Sequence, residues 1–181
     1  MQALRLGIAL ALVGCVQFDR PPEKQPDARL PSDGATDDGP ETLSEAANRV
    51  IATWQSCITV DDIDRSGLAA KWPVIVTDTG QKCEGCHGDG SNGFIATVDQ
   101  NLLSATLKSE RSYLLQYLTV DLTKGAAEAA MVINASIQEA VSQAQPPHGT
   151  HPQFNPTEGL LASEELRRLV QERLDAGQCT D

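Results

Sequence analysis

Cys83-Glu84-Gly85-Cys86-His87 places two thiols and an imidazole within five residues, and it constrains this chain more than any other segment. C-x-x-C-H is the spacing that attaches a c-type haem. Each position has a chemical task. Each thiol can add across one vinyl group of the porphyrin, fixing the ring by two thioethers. The two intervening residues supply the turn that lets both sulfurs reach one face. His87 then follows where it can bind the iron as proximal ligand. A bound porphyrin would also add apolar core to a chain in which only 4% of residues are aromatic.

Other chemistries for the same five residues carry less weight. A structural zinc site takes four Cys or His ligands, often as a second C-x-x-C, and the chain has none. Only His148 and His151 are left to complete a set with Cys83 and Cys86. A thioredoxin-like redox pair expects strands around it in a βαβ pattern, which is missing. A disulfide between Cys83 and Cys86 would be strained.

Export is implied by the N-terminus. Residues 1–14 carry one positive charge, Arg5, followed by an apolar run from Leu6 to Val13. That run is too short for a permanent membrane helix and reads as a signal-peptide core. It ends in Leu12-Val13-Gly14-Cys15, which resembles the bacterial lipobox. The resemblance implies cleavage before Cys15 and lipidation of its sulfur, and two or three acyl chains give stable anchoring where one does not. An ordinary signal peptide with a coincidental Cys is the alternative. Residues 15–41 follow as a Pro/Asp-rich linker with few large apolar side chains. Such a segment cannot offset its ordering entropy by burial and is expected to be a disordered, self-repelling tether. Val16 and Gln17 lack the Asp that resembles an inner-membrane retention signal, which favours the outer membrane.

Residues 42–181 make one domain of ordinary size. Leu43, Ala46, Ala47, Val50, Ile51, Trp54 and Ile58 recur at three- and four-residue steps, predicting a first helix with Cys57 near its end. Residues 61–82 read as irregular, with a short strand at 74–76. Gly85, Gly88, Gly90 and Gly93 predict a loop after the Cys/His motif. Further helices are expected over 110–120, over the Ala-rich 123–143, and after a Ser163 cap, with Leu166, Leu169, Val170 and Leu174 as the last apolar stripe. The expected class is all-α.

One C-x-x-C-H with Gly after the His, a helix before it, helices after it and a final amphipathic helix together resemble the mono-haem c-type cytochromes. The resemblance implies a cytochrome c-like helical domain around one covalent haem c, with the first and last helices crossing beside it. The chain departs from the pattern in the long segment before Cys83 and in lacking an open distal Met loop. Its loop before the last helix, Pro147-His148-Gly149-Thr150-His151-Pro152, looks more like lipoprotein cytochrome domains with a His in that place. His148 or His151 is therefore favoured as the distal iron ligand, and Met131 is the runner-up. Cys57 and Cys179 remain after the other cysteines are assigned, and an even remainder in an oxidising compartment reads as a disulfide. If the terminal helices pack as in the family, Cys57–Cys179 would staple their crossing. Two free buried thiols are the alternative.

The net charge is −11. Cleavage before Cys15 removes only Arg5 and leaves about −12, which disfavours nucleic acid and direct adhesion to anionic lipid. It suits a redox partner with a basic docking surface. The expectation is thus a c-type cytochrome, not an enzyme, lipid-anchored in the bacterial cell envelope and facing the periplasm or the cell surface. The alternatives are a haem enzyme or gas sensor with an open sixth site, and a zinc-binding structural lipoprotein.

Overall fold

Thr42 starts the first helix by a reciprocal cap. Its hydroxyl accepts from the Glu45 amide while the Glu45 carboxylate accepts from the Thr42 amide, so two helix-end donors are satisfied at once. The helix that follows, α1 (Leu43–Cys57), buries Ala46, Val50, Ile51, Trp54 and Cys57 along one stripe. This computed structural model describes residues 39–90, 93–137 and 152–179, all within one unit, Ser32–Asp181. The expected leader, Cys15 and nearly all of the tether lie outside the described residues, as do His148 and His151.

The segment read as irregular holds two helices. α2 (Val60–Ser66) repeats the capping device of α1, with Thr59 and Asp62 as the reciprocal pair. Gly67, at φ +73°, turns the chain into α3 (Leu68–Lys71). Ile63 and Leu68 are fully buried, so tertiary packing stabilises helices too short to persist alone. The expected strand at 74–76 reduces to one bridge between Val76 and Lys82. α4 (Glu84–His87) carries the Cys/His motif.

Asp99 caps α5 (Gln100–Ser109) by accepting from the Asn101 and Leu102 amides. α6 (Arg111–Tyr117) then ends earlier than its sequence pattern predicts. The chain continues as β1 (Leu118–Asp121), passes through a 3-10 turn at Ala126–Glu128, and returns as β2 (Ala130–Ile133). The two strands pair antiparallel, with Val120 opposite Met131. The Ala-rich stretch is therefore a β-hairpin at its start, where a helix was expected. Leu118 and Met131 are buried, and their burial outweighs the helix propensity of alanine.

α7 (Thr157–Asp175) begins six residues before the expected Ser163 cap. Asn155 accepts from both the amide and the hydroxyl of Thr157, which opens the helix there. Ser163 is instead a buried residue inside α7, donating to the Gly159 carbonyl and accepting from Trp72. α7 packs against α1, α2, α3 and β2. The described chain is mostly helical, with one small two-stranded sheet. Among the described residues no helix is long and apolar enough to cross a membrane.

Candidate functional site

The strand-like segments before and after a tight turn position α4. Thr77 N–H donates to the Gln81 carbonyl at 2.7 Å, and Gln81 N–H donates to the Thr77 hydroxyl at 3.0 Å. The returning chain then donates from Cys83 N–H to the Ile75 carbonyl at 3.1 Å and from Glu84 N–H to the Pro73 carbonyl at 3.2 Å. Backbone donors at the start of α4 are thus satisfied by the loop below it. Cys83 already has helical backbone angles, and His87 N–H closes the turn on the Cys83 carbonyl at 3.0 Å. Cys83, Cys86 and His87 therefore stand at i, i+3 and i+4, on one face of a single helical turn.

The three side chains differ in environment. Cys83 is a free thiol buried in the main core cluster, and burial pushes its pKa up to about 11. It stays protonated at neutral pH, the reverse of what an activated redox nucleophile requires. Cys86 is half-buried. His87 is half-buried, with its Nδ1 shielded from solvent.

Residues 94–96 close over His87. The Ala96 amide donates to the His87 carbonyl at 2.8 Å, and the Phe94 ring meets the imidazole edge-on at 5.5 Å between centroids. Gly90, at φ +79°, lets the chain turn back between them. A Cβ there would lie 2.9 Å from the Tyr113 hydroxyl, which donates to the Gly90 carbonyl. Behind this loop Trp72 touches Phe94, Tyr117 and Phe154 edge-on at 5.3, 5.9 and 6.4 Å. Tyr117 is buried and donates to the Ile95 carbonyl. Its pKa is raised, first by burial and then by the nearby charge that Cys83 would carry if ionised.

Met131 is buried on β2, in the same core cluster as Cys83. The structure joins Cys57 to Cys179 by a disulfide with Cα atoms 4.8 Å apart, linking the end of α1 to the residues after α7. Among the described residues no group of three or more His, Cys, Asp and Glu converges to hold a metal ion.

Trp72, Phe94, Tyr113 and Tyr117 are absent from the sequence-derived site. The signal that could have found them is scarcity, since the chain has only two Trp, two Tyr and three Phe. An aromatic-poor chain that gathers four aromatics beside one short helix is shaping the surroundings of that helix. No protein-family model, curated protein or solved structure matches this chain.

Proposed function

We propose that this chain is a lipid-anchored, mono-haem c-type cytochrome that carries electrons outside the cytoplasm, with a cytochrome c-like domain after its tether. The observation that carries the reading is the placement of Cys83, Cys86 and His87 on one face of one helical turn. That face offers two sulfurs and one imidazole, the donor set a covalent haem needs. Cys83 and Cys86 would hold the porphyrin, and His87 would bind the iron. The haem, when bound, supplies the iron that gains and loses the electron, and the protein supplies its shielding and ligation. The aromatic surroundings of Phe94, Trp72 and Tyr117 suit a flat apolar group, and the shielded Nδ1 of His87 suits a ring held in one orientation.

His148 or His151 remains favoured for the sixth position, with Met131 as runner-up. Burial of Met131 suits core packing as well as ligation. Attachment consumes both thiols of the motif, Cys83 and Cys86, as thioethers. The acidic charge suits transient docking to a basic redox partner.

The test is an absorption spectrum of the reduced, envelope-matured protein in alkaline pyridine. A c-type haemochrome band that survives acid-acetone extraction supports the proposal. No haem absorbance, with the maturation machinery active on a control cytochrome, sinks it. Metal analysis of the same sample then tests the zinc-binding alternative.

A further inference from the structure

Tyr117 and His87 grip the same three residues from opposite sides. His87 accepts, through its carbonyl, from the Ala96 amide at 2.8 Å. Tyr117 donates its hydroxyl to the carbonyl of Ile95, the residue before Ala96. Between them the Phe94 ring touches both, at 5.5 Å from the imidazole and 5.0 Å from the phenol ring. The Tyr117 end is itself fixed. Asn134 donates its backbone N–H to the Tyr117 carbonyl at 3.1 Å and its side-chain amide to the Leu115 carbonyl at 2.7 Å. Residues 94–96 therefore form a splint whose far end is anchored where α6 passes into β1.

We propose that Tyr117 is a positioning residue for His87, acting through the Ile95 carbonyl and the Phe94 ring to fix the orientation of the imidazole. The proposal rests on the reading of His87 as an iron ligand for its meaning, but not for its test. Tyr117 acts through its neighbours. Its hydroxyl fixes one peptide unit, that unit fixes the neighbouring ring, and the ring bounds the rotation of the imidazole. A buried phenol needs a partner for its hydroxyl in any case; what is particular here is that the partner is the carbonyl of Ile95, next to the Ala96 amide that bonds His87. The geometry also separates Tyr117 from Trp72, whose polar atom is bonded away from the site, to Ser163 at 3.1 Å.

The experiment compares Tyr117→Phe with Ser163→Ala in the full chain. Each removes one buried hydrogen bond, but only the first lies on the splint. In haem-free protein, Tyr117→Phe is expected to shift the ring-proton and ring-nitrogen NMR signals of His87, while Ser163→Ala leaves them in place. In haem-loaded protein, Tyr117→Phe is expected to change the low-spin electron paramagnetic resonance signature and the midpoint potential, with Ser163→Ala unchanged. Unmoved His87 signals in Tyr117→Phe overturn the proposal whether or not haem attaches. Failure of haem attachment with shifted His87 signals overturns only the cytochrome reading. Should Tyr117→Phe not fold, 3-fluorotyrosine incorporated into a Tyr113→Phe background strengthens the Tyr117 donor without removing it. The His87 signals must then differ from those of the unlabelled Tyr113→Phe protein, and identical signals overturn the proposal.

Discussion

The indole of Trp72 packs against the backbone of Gly159, so that a Cβ built on Gly159 would stand 2.5 Å from the ring carbon Cε2. A glycine inside a 19-residue helix usually costs about 1 kcal/mol relative to alanine. Here it is what allows α7 to lie against the aromatic cluster beside α4. Gly159→Ala is expected to lower stability by about 1–2 kcal/mol, because overpacking a buried ring costs more than the helix propensity returns. Urea unfolding checks it. A gain in stability would mean that Trp72 can move aside, and that α7 does not set the position of the ring.

Asp62 and Arg173 tie α2 to α7 in the core. The carboxylate is almost fully buried and accepts from Arg173 at 2.7 Å, from the Thr59 amide at 2.9 Å and from the Thr59 hydroxyl at 2.8 Å. Removing one side of such a pair strands the other, so Asp62→Ala is expected to cost about 3 kcal/mol. Lys71 and Glu158 form an ion pair of similar length, 3.1 Å, with both side chains at least half exposed. Glu158→Gln is expected to change stability by less than about 0.5 kcal/mol. Equal effects for the two variants would show that solvent reaches Asp62 as freely as it reaches Glu158.

The Cys57–Cys179 bond closes a loop with a sequence separation of 122 residues. Constraining so long a loop in the unfolded chain is expected to contribute about 3–5 kcal/mol. The Cys57→Ala/Cys179→Ala double variant should therefore unfold at clearly lower urea, with a steeper denaturant slope because its unfolded chain is less compact. A loss below about 1 kcal/mol would place the stability of the α1–α7 association in packing alone.

The sequence reveals this fold where local signals and burial agree. α1 carries its cap, its acidic first turn and its apolar stripe in one run from Thr42 to Cys57, and all three can be read in order. The hairpin cannot be read in the same way, because alanines around Met131 favour helix locally and only the pairing of Val120 with Met131 decides otherwise. α2 and α3 are hidden for a related reason. Gly67 and the neighbouring aspartates look like loop composition, although Asp62 is a capping residue and Gly67 a hinge between helices. The start of α7 was obscured by Gly159, whose role depends on a Trp 87 residues earlier in the chain. The candidate site divides similarly. Its donors lie within five residues and are legible, whereas Tyr117 reaches Ile95 across 22 residues and Trp72 reaches Ser163 across 91.

Alkali should weaken the haem-free protein through two buried acids. Burial holds the Cys83 thiol up to about 11, and burial also raises the Tyr117 phenol. In the unfolded chain a thiol ionises near about 8.5 and a phenol near about 10. Above pH 9 the unfolded state therefore binds fewer protons than the folded one, and stability falls as pH rises. Below pH 8 neither group contributes a slope. Urea midpoints are expected to be flat from pH 7 to 8 and then to decline through pH 9–11, with Cys83→Ala declining less. Covalent haem converts the thiol to a thioether, which cannot ionise, so the loaded protein should follow the shallower course of Cys83→Ala. Parallel curves for wild type and Cys83→Ala would show that the thiol is solvated in the folded chain. Its burial beside Tyr117 would then play no part in alkaline unfolding.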